Sequence, residues 1–181
     1  MSQKPEITAC KVVAQSRLFR IEQVDLTFSN GEAVVYERLK GSSRGGVLVV
    51  AVQGDSFLMV REYGVGVEGY ELMFPKGRIE NDEPILEAAN RELQEEVGYA
   101  AKELTLIKSM TLAPGYMGHQ THVVLAEDLY PATLEGDEPE PLEVVSWKID
   151  NIDDLSIRED VSEARTIAAA YMVKAILEQR Q

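Results

Sequence analysis

Short apolar runs separated by turn-forming residues dominate the N-terminal part of the chain and predict β-strands. Residues 21–28 and 33–39 flank Asn30-Gly31, and Asn-Gly between two such runs is the strongest short-range signal for a hairpin. Residues 41–46, which are mostly glycine and serine, predict a linker after this hairpin. The chain is therefore predicted to have an N-terminal β-hairpin extension over residues 1–40 and a main domain over residues 41–181.

The main domain is predicted to begin with a second hairpin, whose strands are more apolar than those of the first. These strands, 47–52 and 56–61, flank Gly54-Asp55 and have the composition of central strands in a sheet. Three further strands are predicted at residues 104–108, 122–126 and 143–148.

Two other segments show apolar residues at helical spacing. The first follows Asp82, which is suited to cap a helix N-terminus, and it ends at Gly98, which suits the position after a helix C-terminus. Its predicted buried stripe is Leu86, Ala89, Leu93 and Val97. The second spans residues 160–180, with predicted buried residues Ala164, Ile167, Ala168, Tyr171, Ala175 and Ile176. Strands before and after one helix, with a closing helix at the end, predict a layered α/β sandwich.

Three glutamates in the last turns of the first helix are expected to point the same way. Glu92, Glu95 and Glu96 stand three and four residues apart, so they share a helical face and repel one another by roughly 0.2–0.5 kcal/mol per pair. Acidic groups near a helix C-terminus also oppose the helix dipole. A divalent cation would relieve both costs, and ligands that are all oxygen favour Mg²⁺ or Mn²⁺. The alternative, which the glutamates alone leave open, is a solvated acidic face.

The spacing of the whole segment resembles the Nudix box. The matching positions are Gly77, Glu83, the run Arg91-Glu92-Leu93-Gln94-Glu95-Glu96-Val97-Gly98 and the bulky Tyr99, where the family more often has an aliphatic residue. The resemblance implies a Nudix hydrolase with an α/β/α sandwich and a mixed sheet. It also implies metal-dependent cleavage of a nucleoside diphosphate linked to another group.

The resemblance assigns expected roles to residues of the box. Glu92, Glu95 and Glu96 are implied to be metal ligands, together with the backbone carbonyl of Lys76. Arg91 and Glu83 are implied to orient these ligands, with Glu83 reaching back from the start of the helix.

Features outside the box resemble the ADP-ribose pyrophosphatase branch of the family and, over nearly the whole chain, the bacterial ADP-compounds hydrolases. They include Arg61-Glu62-Tyr63 at a strand end, Pro114 fifteen residues after Tyr99, and the two-strand N-terminal extension. The resemblance implies a small-molecule substrate built on ADP, namely ADP-ribose, diadenosine triphosphate or NADH, cleaved to release AMP. It also implies a homodimer built by the N-terminal extension, although the sequence itself leaves open whether the extension is a dimerisation arm or a cap on its own chain.

Five residues are candidates for binding the substrate. The planar fork of Arg61 suits a phosphate or ribose, while Lys76 flanks the box glycine and is placed to meet phosphate. Tyr36, Tyr63 and Tyr116 are candidates to stack on adenine. Each has a plainer alternative, because strand-end cations are often solvated and aromatic residues at these spacings are often part of a core.

The general base stays unassigned. The related branch carries a glutamate in the loop after the proline, whereas residues 114–120 contain no carboxylate. His119, Glu95, Glu138 and Glu140 are the alternatives, and the acidic run 135–140 that holds two of them also fits a disordered tip.

Composition restricts the function classes further. The formal net charge of −13 at pH 7 argues against nucleic-acid binding, including the processing of RNA ends, because such proteins present a basic face. Cys10 is the single cysteine, which fits a reducing cytoplasm. No apolar run approaches the ~18–20 residues that span a bilayer, so no membrane partner is expected. Two alternatives remain, a nucleoside triphosphate pyrophosphohydrolase and a non-catalytic nucleotide-sensing Nudix domain.

Overall fold

The computed structural model describes residues 3–41 and 44–180, so Ser42 and Ser43 of the predicted linker lie outside the described residues. The chain forms two units. One consists of residues 1–45 and 111–120, and the other of residues 46–110 and 121–181. None of the helices in the described ranges has the length and apolar character needed to cross a membrane.

The N-terminal unit is built on a three-stranded antiparallel sheet. Its strands β1 (Glu6–Gln15), β2 (Arg20–Thr27) and β3 (Ala33–Leu39) pair in chain order. The predicted hairpin is therefore present as β2 and β3, with Gly31 at φ +86° in the turn. β1 has no counterpart among the predicted strands, so the extension is a sheet of three strands and not a hairpin alone.

The loop formed by residues 111–120 belongs to the same unit and is bonded to the end of β3. The Leu39 amide donates to the Tyr116 carbonyl at 2.8 Å, and the Gly118 amide donates to the Leu39 carbonyl at 3.0 Å. A Cβ on Gly41 would lie 2.7 Å from the carbonyl carbon of Gly118, so the two backbones approach each other too closely for a side chain.

The larger unit contains a mixed seven-stranded sheet. Its strands are β4 (Gly46–Gln53), β5 (Ser56–Gly64), β6 (Gly69–Met73), β7 (Lys76–Arg78), β8 (Tyr99–Thr111), β9 (Gln120–Pro131) and β10 (Glu143–Lys148). The main order is β10-β5-β4-β9-β8, with β6 paired to β5 and β7 paired to β4. β4 is parallel to β9 and antiparallel to β5, which makes the sheet mixed.

Helices cover both faces of this sheet, which confirms the α/β/α sandwich. They are α1 (Ile85–Glu96), α2 (Ile152–Ser156) and α3 (Ala164–Gln179), with a short 3-10 turn at Ile149–Asn151. Alternate residues of β4 serve the two cores, as strand geometry requires. Val49 packs in the cluster that contains Leu93 of α1, and Val50 packs in the cluster that contains Val173 of α3.

The ends of α1 differ in part from the prediction. Asp82 does not cap the helix, because it has a positive φ of +62° and the N-cap position is occupied by Pro84. Gly98 follows the helix with φ +77°, as expected for a left-handed residue after a C-terminus. Leu93 is buried as predicted, whereas Leu86 is exposed.

The predicted buried face of α3 is wrong. Ala164, Tyr171 and Ala175 are exposed, while Ile167, Ala168 and Ile176 are only partly buried. The buried residues are Thr166, Ala169, Ala170 and Val173. Apolar residues occur on every side of this helix, so their spacing alone does not define which side meets the sheet.

Candidate active site

The three glutamates of α1 line one cavity of about 910 Å³ in the larger unit. Glu92 and Glu96 are almost fully buried, with 7% and 8% of their surface exposed, and Glu95 is half-buried. The other walls come from residues 76–81, which include β7, and from residues 135–138 of the segment after β9. The helical spacing of the carboxylates therefore does place them at one site.

Arg91 connects two of these glutamates to the start of the helix. Its Nη1 donates to Glu92 Oε1 and to Glu95 Oε2, both at 2.8 Å. Its Nε and Nη2 donate to the two carboxylate oxygens of Glu83 at 2.8 and 3.1 Å, and Nη2 also reaches the Arg78 carbonyl at 2.9 Å. The hydrogen bonds from Arg91 lower the pKa of Glu83, and Glu83 in turn raises the pKa of Arg91. Both groups are consequently fixed in their charged forms.

Gly77 leaves the space that the Glu92 side chain occupies. A Cβ at position 77 would lie 2.1 Å from the carboxylate carbon of Glu92. Contacts below 3.0 Å essentially never occur for a real Cβ. The glycine is therefore required by the carboxylate and not by an unusual backbone conformation.

Glu96 accepts a hydrogen bond from the backbone of β7. The Lys76 amide donates to Glu96 Oε2 at 3.3 Å. Burial raises the pKa of Glu96 to about 9, and the charges of Glu92 and Glu62 act in the same direction. Burial also raises the pKa of Glu92 despite its bond to Arg91. Without a cation, the protein environment therefore opposes simultaneous ionisation of these two carboxyl groups.

The donor set fits a divalent cation, although it is not assembled around one. Within residues 3–41 and 44–180, no three His, Cys, Asp or Glu side chains are already grouped so that they could hold a metal ion. Arg91 engages one oxygen of Glu92 and one of Glu95. A carboxylate has about four lone-pair positions, so these bonds leave capacity for a metal. Buried oxygen donors that resist ionisation when alone match the chemistry of Mg²⁺ or Mn²⁺.

Residues 135–138 of the acidic segment 132–142 form a wall of the site. The sequence leaves two alternatives open for this segment, a source of the general base and a disordered tip. The Leu134 amide donates to the Gln94 carbonyl of α1 at 3.3 Å, and a Cβ on Gly136 would contact Glu95 at 3.5 Å. Asp137 and Glu138 line the cavity, and burial followed by the charges of Glu62 and Asp137 raises the pKa of Glu138. Of the two general-base alternatives in this run, Glu138 lines the 910 Å³ cavity.

The predicted substrate-binding residues of the larger unit occupy different environments. Lys76 lines the glutamate cavity, and its ammonium group forms an ion pair with Glu62. Arg61 donates to Glu143 at 3.1 Å and to Asp160 at 2.8 Å. Tyr63 packs edge-on against Tyr70, with ring centroids 5.5 Å apart. In the part of the chain that the structure describes, neither Arg61 nor Tyr63 lines this cavity.

Two of the tyrosines predicted to stack on adenine line a second cavity, which lies within the N-terminal unit. Tyr36 of β3 and Tyr116 of the 111–120 loop line a space of about 520 Å³, with Phe28 and Met117 among its other walls. Both tyrosines are exposed. His119, one of the alternatives for the general base, belongs to the same loop.

Comparison with known proteins gives matches over nearly the whole chain. Residues 42–171 match the model of the NUDIX domain, and residues 5–38 match the model described as the NudE-type Nudix hydrolase N-terminal domain. A curated relative, ADP compounds hydrolase NudE of Escherichia coli (strain K12), is 48% identical over 172 residues, which cover 95% of this chain and 92% of the relative.

Two further matches are similar in extent. ADP-ribose pyrophosphatase of Bacillus subtilis (strain 168) is 32% identical over 166 residues, covering 88% of this chain and 89% of the relative. A solved structure titled as the crystal structure of ADP compounds hydrolase superposes with a TM-score of 0.93 at 47% identity. The match covers 99% of this chain and 97% of the chain in the solved structure.

Proposed function

The chain belongs to the Nudix hydrolase family, and on this premise we infer that it is a pyrophosphohydrolase of ADP-linked compounds. We propose that the reaction is metal-dependent hydrolysis of the pyrophosphate bond with release of AMP. ADP-ribose, diadenosine triphosphate and NADH are the proposed substrates. The observation that supports this most directly is the grouping of Glu92, Glu95, Glu96 and Arg91 at one cavity, where Arg91 is also bonded to Glu83.

We assign the metal site to Glu92, Glu95, Glu96 and the backbone carbonyl of Lys76. A bound Mg²⁺ or Mn²⁺ would neutralise charge on the pyrophosphate and lower the pKa of a bound water to ~7. The protein's own part is to hold the carboxylates, and Arg91 does so through its bonds to Glu92 and Glu95. Glu83 fixes the guanidinium of Arg91, so it acts one step farther from the reacting atoms.

Glu138 is the general base that the geometry favours among the four alternatives. It lines the same cavity as the metal-site glutamates and has a raised pKa, which brings it closer to the range in which a base works at neutral pH. Glu95 is instead bonded to Arg91, and Glu140 is bonded to Tyr70. His119 remains an alternative.

For substrate binding we propose Lys76 near the phosphates and Tyr36 and Tyr116 as stacking surfaces for adenine. Lys76 carries a positive charge at the cavity wall. Arg61 and Tyr63 remain candidates, although Arg61 must exchange a bond to Glu143 or Asp160 before it can hold a substrate.

We propose that the chain acts in the cytoplasm as a homodimer on small-molecule nucleotides, without nucleic-acid or membrane partners. The charge of −13 supports the absence of a nucleic-acid partner, and the single cysteine supports a reducing compartment. Sedimentation equilibrium of the full chain tests the dimer, which requires twice the mass of one chain.

The decisive experiment is a substrate panel with product identification. ADP-ribose, NADH and diadenosine triphosphate are each incubated with the protein and Mg²⁺ or Mn²⁺, and AMP is measured by chromatography. The canonical nucleoside triphosphates form the second arm, with pyrophosphate as the measured product. AMP release that disappears with a chelator and returns with the metal supports the proposal. Pyrophosphate release alone would instead identify a triphosphate pyrophosphohydrolase, and no turnover in either arm would favour a nucleotide-sensing domain.

A further inference from the structure

Tyr70 connects the sheet to the acidic segment that forms one wall of the active site. Its hydroxyl donates to Glu140 Oε1 at 2.6 Å, although the two residues are 70 positions apart in the chain. Tyr70 lies on β6, which pairs with β5, and its ring packs edge-on against Tyr63. The hydroxyl therefore extends from a strand that is hydrogen-bonded into the sheet.

The acidic segment is attached near its start and its end. At the start, the Ala132 amide donates to the Gly98 carbonyl at 3.1 Å, and the Leu134 amide donates to Gln94 at 3.3 Å. At the end, Leu142 packs against the core cluster on the α1 side of the sheet. The bond from Tyr70 to Glu140 restrains the segment between these attachments.

Two prolines limit the backbone conformations between Glu140 and the cavity residue Glu138. Glu138 precedes Pro139, and Glu140 precedes Pro141. Proline fixes its own φ and disfavours the helical region for the residue before it, so the backbone from 138 to 141 has few accessible conformations. Glu138 and Glu140 also line one recess of about 260 Å³ together with all three metal-site glutamates. Fixing the side chain of Glu140 therefore restricts where Glu138 lies.

We propose that Tyr70 is a positioning residue for the hydrolysis, because its bond to Glu140 holds residues 134–142 with Asp137 and Glu138 facing the metal-site glutamates. This inference rests on the proposed function. Tyr70 is 51% exposed and Glu140 is exposed, so the bond lies at the surface and contributes little to the stability of the fold. Its loss is expected to affect the rate far more than the melting temperature.

The test is Tyr70→Phe, which removes the hydroxyl and keeps the ring against Tyr63. AMP release is measured at saturating Mg²⁺, and kcat is expected to fall about tenfold, the factor that a hydrogen bond to a charged group of about 1.4 kcal/mol accounts for. Tyr171→Phe is the matched control, because the Tyr171 hydroxyl donates to Asp153 at the same 2.6 Å and Tyr171 is 41% exposed. It is expected to leave kcat unchanged.

Hydrogen exchange gives a second measurement that does not depend on turnover. In metal-free protein, the backbone amides of residues 132–142 are expected to exchange several-fold faster in Tyr70→Phe than in wild type, and at the wild-type rate in Tyr171→Phe. Glu140→Gln keeps an acceptor for the tyrosine hydroxyl, so it is expected to retain more activity than Glu140→Ala. Tyr70→Phe added to Glu140→Ala is expected to cause no further loss.

Several outcomes overturn the proposal. Wild-type kcat and exchange in Tyr70→Phe would show that the bond positions nothing. A full loss of activity in Glu140→Gln, with normal activity in Tyr70→Phe, would make Glu140 itself the base. If the wild-type protein cleaves no ADP-linked compound, the proposed function fails, and with it the role in hydrolysis; the exchange rates then decide separately whether Tyr70 holds the segment.

Discussion

The carboxylate of Glu92 lies directly over Gly77, where a Cβ would be 2.1 Å from its carboxylate carbon. The two residues are on different elements: Gly77 is in β7, the strand that carries Lys76, and Glu92 is in α1, the helix that carries the other two glutamates. The contact is with the end of the Glu92 side chain, so relief requires that a proposed metal ligand moves.

Gly77→Ala is therefore expected to displace Glu92 and break its bond to Arg91. Because a shift of about 1 Å at a catalytic group costs roughly 10²-fold in rate, kcat for AMP release should fall by about that factor. Gly66→Ala is the matched control, since a Cβ there meets nothing within 4 Å. Wild-type turnover in Gly77→Ala would contradict the assignment of Glu92 as a ligand.

Replacing single ligands tests the metal site more directly. Glu92→Gln or Glu96→Gln keeps the shape of the side chain but removes the charge that a cation requires. Turnover is expected to fall by at least about 10²-fold, and calorimetric titration should show weaker binding of Mg²⁺ or Mn²⁺. Glu87→Gln, an exposed change on the same helix, controls for the loss of one negative charge. Equal rates in all three variants would remove the glutamates from the mechanism.

The parts of the site that could be predicted from sequence are those that depend on helical spacing. Glu92, Glu95 and Glu96 face one cavity because residues three and four apart share a face. Asp137 and Glu138 approach the same cavity from about forty positions away. Their segment is attached by one backbone bond to α1 and one to Gly98, which no local pattern encodes. The bond between Tyr70 and Glu140 likewise depends on the packing of β6 and has no short-range signal.

The fold was predictable where the pattern of apolar residues along an element matches the pattern of its burial. β4 and β5 could be predicted from the sequence because they are continuous apolar strands in the centre of the sheet. β1 could not be read in this way, because all ten of its residues are exposed. The prediction of the buried face of α3 failed for a different reason. Ala164, Tyr171 and Ala175 are as apolar as the buried positions, so periodicity could not select the side that meets the sheet.

The raised pKa of Glu96 predicts how the stability of the metal-free protein depends on pH. In the fold this pKa is about 9, above the ordinary glutamate value of 4.5, so the folded protein holds the proton more tightly than the unfolded chain. The resulting stabilisation is complete below pH 4.5 and is lost as the pH rises towards 9, at up to about 1.4 kcal/mol per pH unit. Denaturant unfolding from pH 5 to 9 should therefore show a steeper loss in wild type than in Glu96→Gln.

The difference in slope between wild type and Glu96→Gln reports the titration of Glu96, because the other titrating groups are common to both proteins. Saturating Mg²⁺ should reduce the difference in slope, since a bound cation replaces the proton. Parallel pH profiles in the absence of metal would mean that Glu96 is ionised in the fold, contrary to the effect expected from its burial.

The cavity of the N-terminal unit yields a prediction that concerns binding and not chemistry. If Tyr36 or Tyr116 stacks on adenine, its replacement by alanine removes about 1–3 kcal/mol of contact with the base in both the bound ground state and the transition state. The KM for ADP-ribose should then rise about tenfold or more while kcat is unchanged. Tyr36→Phe keeps the ring and should behave as wild type. Tyr130→Ala removes another exposed tyrosine, on β9, and should also have no effect. A change in kcat with constant KM would place Tyr36 in the chemical step and refute its role as a stacking surface.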